Sequence, residues 1–153
     1  MSLTYTKAID EMVRLLAVQW NALTPALLQR PEPALLQYPG MPQGNPDVEQ
    51  PFGRLLIRHV SDPRHTFGPP GSRRYTRSGF ITIQCFGPID DVNWPAGGLS
   101  LAENLAIIAR DAYEGVGTND GLWFRNAHVI EIGADKVYYE QRARIDFTYD
   151  ECK

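Results

Sequence analysis

Few residues of this chain are of types that perform chemistry, and their spacing favours no particular reaction. The three histidines, His59, His65 and His128, form no closely spaced pair of the kind that holds a metal ion. Cys85 lies in an apolar run, which predicts a buried and inert thiol, and Cys152 lies near the end. A Cys–His nucleophile pair is compatible with these positions, but no other feature supports it. The sequence therefore predicts no catalytic residue, no cofactor and no metal.

The glycine pairs and carboxylates of the chain also have simpler interpretations than catalysis. Gly97-Gly98 precedes a predicted helix, whose start could bind an anion, but no Lys-Ser or Lys-Thr pair follows as in a phosphate loop. Asp111 and Glu114 lie three residues apart on the same predicted helix, so they are neighbours on its surface. A loop that leads into the helix and a solvated helix face explain both features.

The basic residues are concentrated in one segment, Ser61–Arg77. Gly68-Pro69-Pro70-Gly71 lies at its centre and predicts a loop that is mobile in the free subunit. Its charge makes it a poor core segment, so we expect it to order against an assembly partner. Either a phosphate contact or a subunit contact to carboxylates such as Asp90, Asp91 or Asp150 fits its composition. The candidate interaction residues are Arg64, His65, Arg73, Arg74 and Arg77.

Length and composition indicate one soluble domain over residues 1–153. The formal net charge of −3 argues against avid, non-specific DNA binding, which needs a basic surface. Two cysteines are too few for a disulfide framework, so a reducing compartment is expected. No apolar stretch is long enough to span a bilayer. We therefore expect no membrane contact and synthesis in the cytoplasm.

The elements predicted from hydrophobic spacing follow the order α-β-β-α-β-β. A helix from Thr4 to about Ala22 should end before Pro25, and Ser100–Glu103 has the form of a capping box that starts a second helix, with Gly115 as a stop. Residues 24–52 are Pro-rich and mostly irregular, with a short strand or turn within Ala34–Tyr38. The predicted strands are Arg54–Val60, Arg73–Phe86, Leu122–Gly133 and Lys136–Tyr149. An α+β fold follows, with a mostly antiparallel sheet and both helices on one face.

The last strand carries the clearest pattern in the chain. From Val137 to Tyr149, apolar residues alternate with charged or polar ones, as expected of a strand with one buried face and one wet face. The wet face could be solvated or paired with a partner. The residues predicted to lie in the core are Trp20, Leu105, Ile108, Ile145 and Phe147.

These pieces, in this order, resemble the small tail terminator or tail completion proteins of long-tailed phages and related prophage proteins. The resemblance extends over most of the chain and rests on a series of short sequence segments. They are Trp20-Asn21, Pro51-Phe52, Arg74-Tyr75, Gly79, Ile83–Phe86, Ala102–Ala106, Arg110-Asp111, Leu122–Phe124 and Ile145–Tyr149.

The resemblance implies a structural virion protein. Such subunits close into a ring, commonly a hexamer, that caps the tail tube, stops its polymerisation and provides the head-joining surface. The implied partners are further copies of the chain, the tail tube protein and the head–tail connector protein, with transient DNA contact in the ring lumen. The implied location is the virion tail, after assembly in the host bacterial cytoplasm.

Two alternatives remain open at this point. One is another phage neck or minor tail component. The other is a small enzyme or ligand-binding module on the same α+β shell, which fold alone does not exclude. The enzyme would need a pocket with convergent titratable groups.

Overall fold

The computed structural model has the predicted α+β architecture. It describes residues 3–39, 50–61, 69–70, 73–89, 94, 97–118, 121–134 and 137–152. The helices are α1 (Tyr5–Leu28) and α2 (Gly98–Asp111). The strands are β1 (Leu35–Gln37), β2 (Phe52–Ser61), β3 (Arg74–Pro88), β4 (Trp123–Ala134) and β5 (Tyr138–Cys152).

The five described strands form one sheet in the order β1-β2-β3-β5-β4. All neighbouring pairs are antiparallel except β1 and β2, which are parallel. The short strand predicted within Ala34–Tyr38 is confirmed as β1, and the four longer predicted strands pair as the hairpins β2–β3 and β4–β5. Within the Pro-rich segment, residues 40–49 lie outside the described residues.

The core lies between the helices and one face of this sheet, which we call the inner face. Along β5, Gln141, Ala143, Ile145, Phe147 and Tyr149 are buried, so the predicted alternation is confirmed from Gln141 onward, whereas Val137 is exposed. The predicted core residues Trp20 and Leu105 are also fully buried, while Ile108 is only partly buried against the same cluster. Neither of the described helices has the length and hydropathy that a membrane span needs.

Helix α1 begins as predicted but continues past Pro25. The Thr4 hydroxyl accepts a hydrogen bond from the Lys7 amide at 3.3 Å and caps the start. The prediction that Pro25 ends the helix is wrong, since α1 runs to Leu28. The extra turn buries Leu28, and the Thr24 hydroxyl donates to the Trp20 carbonyl at 2.7 Å and accepts from the Ala34 amide at 3.0 Å. These contacts offset the backbone hydrogen bond that proline cannot donate.

Helix α2 begins three residues earlier than a capping box with Ser100 as the N-cap predicts, so that prediction is wrong. Gly97 is the N-cap, with φ of 88°, and no side chain caps the helix. The reason is close backbone packing on β3, because a Cβ atom on Gly98 would lie 1.9 Å from the Pro88 carbonyl oxygen. A Cβ atom on Gly87 would lie 1.9 Å from the Gly98 carbonyl oxygen. Two glycines are therefore needed where α2 meets β3.

Candidate interaction surfaces

The residues proposed from the sequence as an interaction loop are divided between different environments. Arg64 and His65 lie outside the described residues, and Arg73 is half-buried just before β3. The prediction that the loop extends to Arg77 is wrong, because Arg74 and Arg77 are part of β3. There β3 pairs with the end of β5, from Arg74 opposite Cys152 to Ser78 opposite Thr148. Strand β5 thus supplies hydrogen-bond partners beyond the end of β2.

Arg74 and Arg77 differ in what they contact. The Arg74 side chain is exposed and forms an ion pair with Asp150 at 3.2 Å. The Arg77 guanidinium lies in a nearly buried ion pair with Glu151 at 2.7 Å, with 13% and 10% of the two side chains exposed. The second oxygen of Glu151 accepts a hydrogen bond from the Tyr5 amide at 3.1 Å. Arg77 therefore helps to attach the start of α1 to the last strand.

A histidine and aromatic cluster continues this attachment. The Nε2 atom of His59 lies 2.8 Å from the Tyr149 hydroxyl, and the His59 ring stacks on Tyr5 at a centroid distance of 4.3 Å. Phe147 meets the same ring edge-on. His59 is thus part of the packing between α1 and the sheet. Within the described part of the chain, His, Cys, Asp and Glu side chains form no group of three that could hold a metal ion.

The two cysteines differ as the sequence predicts. Cys85 is buried on the inner face, and Cys152 is exposed. Burial, with a smaller contribution from the charge of Glu140, raises the pKa of the Cys85 thiol far above its usual range. Burial likewise raises the pKa of Tyr113, whose hydroxyl donates to the Met12 carbonyl at 2.6 Å. Both groups stay protonated and contribute to the core.

A cavity of about 290 Å³ lies where the turn after α2 meets β4. It is lined by residues that include Tyr113, Glu114, Phe124, Arg125 and Asn126. Asn126 has a φ of 54° and lies where the pairing of β4 with β5 shifts register. Glu114 forms an ion pair with Arg110 at 3.4 Å. Glu114 is thus the carboxylate among these lining residues, and it is already paired with Arg110.

Neither of the described helices packs on the second face of the sheet, and we call it the open sheet face. It consists of the even-numbered positions of β2, β3 and β5. Four residues of β4 that pair with even-numbered positions of β5 lie on the same face: Trp123, Arg125, His128 and Ile130. Six arginines and three carboxylates lie on it, which gives this face a net charge of +3 although the chain carries −3. The arginines are Arg54, Arg58, Arg74, Arg125, Arg142 and Arg144; the carboxylates are Glu140, Asp146 and Asp150.

Aromatic rings lie among these arginines. The Arg144 guanidinium lies 4.2 Å from the centroid of the Phe80 ring, and Arg54 lies 6.0 Å from that of Phe86. Trp123, at one edge, is 67% exposed. Arginines held over rings keep a planar, weakly hydrated cation at the surface, which suits contact with carboxylates or phosphates.

The open sheet face was only partly foreseen from the sequence. The alternation along β3 and β5 predicts a polar face, and that prediction is confirmed. The clustering of the arginines was missed because they come from four strands that are distant in sequence. The register in which Arg144 of β5 lies opposite Thr82 of β3 and His128 of β4 brings them together.

The outer face of α2 has the opposite charge. Leu99, Glu103, Ile107 and Asp111 follow one another at intervals of four residues, so they form one row along the helix. Leu99 and Ile107 are 43% and 39% exposed. Arg110 pairs with Asp111 at 3.0 Å and with Glu114, so three carboxylates and one arginine leave this surface with a net charge of −2.

Comparisons with known proteins identify the fold alone. No protein-family model matches the chain, and no curated protein matches it. Solved structures do match, among them a protein chain that carries no functional name, with a TM-score of 0.54 and 11% sequence identity. That match covers 92% of this chain and 94% of the other. At this identity, the likeness extends to the arrangement of helices and strands and no further.

Proposed function

We propose that this chain is a structural virion protein that acts as a phage tail terminator. In this proposal, copies of the chain form a ring that caps the tail tube, stops its polymerisation and provides the surface that joins the head. The observation that carries the proposal is the pair of unlike outer surfaces on one small domain. One is the basic open sheet face and the other is the acidic outer face of α2.

Two unlike surfaces are what a ring requires. A ring is held by heterologous contacts, in which one surface of each subunit meets a different surface of the next. A symmetric dimer, by contrast, uses the same surface twice. A basic face and an acidic face on one subunit favour the first arrangement, because like charges oppose each other in the second.

The sequence resemblance to tail terminators supports the same function. The fold agrees with it, since that resemblance implies an α/β subunit and the chain has a sheet with two described helices on one side. The partners in this proposal are the tail tube protein, the head–tail connector and DNA that passes through the ring lumen. A catalytic role receives less support, because Glu114, the carboxylate residue that lines the cavity beside α2, is already paired with Arg110.

The test is the mass of the purified chain in solution at increasing concentration. We expect sedimentation and native mass measurements to show a closed oligomer, with a hexamer as the expected size, in equilibrium with the monomer. Addition of isolated tail tubes should shift the equilibrium towards the ring. A chain that stays monomeric at the highest attainable concentration and in the presence of tube ends would contradict the proposal.

A further inference from the structure

We propose that the ring is built by head-to-tail docking, in which the outer face of α2 on one copy contacts the open sheet face of the next copy. This inference rests on the proposed ring, and it names the two surfaces and the residues that form each contact. The occupant of the open sheet face is then a second copy of the same chain.

Charge complementarity is the first argument for this pairing. The open sheet face has a net charge of +3, and the surface of α2 with its following turn has a net charge of −2. Arg58, Arg125 and Arg144 are exposed on the first surface. Glu103 and Asp111 are exposed on the second. Arginine pairs well with carboxylates at interfaces, because its planar fork donates two parallel hydrogen bonds.

Apolar complementarity is the second argument. Leu99 and Ile107 alternate with Glu103 and Asp111 along α2, and both are large, exposed apolar side chains. On the open sheet face, Phe80 and Ile130 lie half-exposed between the arginines. Docking would remove these apolar side chains from water, which favours association.

The position of the two surfaces makes the contact heterologous. Helix α2 packs on the inner face of the sheet through Leu101, Leu105 and Ala109, so its outer face points away from the sheet. The open sheet face lies on the opposite side of the same subunit. A copy docked through α2 therefore leaves its own open sheet face available for the next copy, which continues the chain of contacts until the ring closes.

Charge reversal on either surface tests the inference. The sheet variant carries Arg58→Glu and Arg144→Glu, and the helix variant carries Glu103→Arg and Asp111→Arg. Each variant alone places like charges across every contact, so we expect its association to weaken at least tenfold in sedimentation. A mixture of the two variants restores opposite charges at every contact, and we expect it to assemble again. Glu32→Arg, an exposed reversal outside both surfaces, is the matched control and should associate normally.

The recovery in the mixture separates docking from misfolding, because a misfolded variant is not rescued by its partner. The inference is overturned if both variants associate like the wild type or if the mixture fails to assemble. It is also overturned if the sheet variant associates normally but loses affinity for duplex DNA, since the arginines would then serve phosphates. If the charge-reversal variants still form rings and still cap tails, this docking mode is rejected and the proposed function stands. If each variant loses association and the mixture recovers it, but the wild-type chain does not cap tubes, the proposed function is rejected and the docking mode stands.

Discussion

Replacing Arg77 with serine is expected to lower the free energy of unfolding by about 3–5 kcal/mol. The reason is that the nearly buried Glu151 carboxylate would lose its ion pair with Arg77. The Tyr5 amide, which donates to Glu151, would stay as its neutral partner and compensate only part of the loss. Urea denaturation followed by circular dichroism gives the change directly.

Arg74→Ser is the matched control, because it removes an arginine from the same strand three residues away. Its ion pair with Asp150 is exposed, so we expect a loss of less than about 1 kcal/mol. Replacing both members of the buried pair with apolar residues, as in Arg77→Met with Glu151→Leu, should recover much of the stability. Equal losses for Arg77→Ser and Arg74→Ser would show that the Arg77–Glu151 pair is not buried in solution.

The nearly buried Arg77–Glu151 ion pair also changes an expectation drawn from the sequence. If Arg73, Arg74 and Arg77 belonged to a mobile loop, their joint replacement by serine would block tail completion without harm to the fold. Because Arg77 is held within β3 against Glu151, the triple variant is expected to lose stability as well. A test of interaction at this end of the sheet should therefore change Arg73 and Arg74 and leave Arg77 in place.

Replacing Phe147 with alanine is expected to cost about 3–5 kcal/mol of unfolding free energy. Its ring is fully buried on the inner face and packs against His59 and Tyr149. Truncation would remove these contacts and leave a cavity in the middle of the sheet. Ile145→Ala, two residues along the same face, should cost about 2–5 kcal/mol for the same reason.

Asp146→Ala controls for the register of β5, because Asp146 lies between these two residues on the open sheet face. Its contacts are a hydrogen bond from Asn126 at 3.0 Å and a long ion pair with Arg144. Exposed contacts of this kind are worth less than about 1 kcal/mol. If Asp146→Ala proved costly and Phe147→Ala nearly neutral, β5 would be shifted by one residue and its two faces exchanged.

The alternation of Phe147 and its neighbours explains why β5 was predictable from the sequence. A period of two over many residues specifies both a strand and its buried face, and no distant contact is needed to see it. The apolar row of α1 is equally local, and Met12, Leu16 and Trp20 are buried as their spacing predicts. The element order and the fold class follow from such local patterns.

The errors arise where distant backbone contacts outweigh local preferences. Pro25 ordinarily ends a helix, but burial of Leu28 and the hydrogen bonds of Thr24 favour one more turn. Ser100 has the sequence of a cap, but the approach of Gly98 to Pro88 places the helix start earlier. A single sequence does not reveal which strand will approach which helix.

The candidate surfaces show the same limit. The predicted basic site consists of residues that are close in sequence, whereas the arginines of the open sheet face lie on four different strands. Strand order and register determine which arginines cluster, and both are properties of the folded sheet. The outer row of α2 could have been found from its four-residue spacing, but only as a solvated face, since its proposed counterpart lies on another element.

The length of tail tubes tests the proposed function most directly. Electron microscopy would compare the particles made by the strain that encodes this chain with those made after deletion of its gene. We predict tubes of uncontrolled length that fail to join heads, with normal length restored when the wild-type chain is supplied. Tails of normal length joined to heads in the deletion strain would contradict the assignment of this chain as a tail terminator.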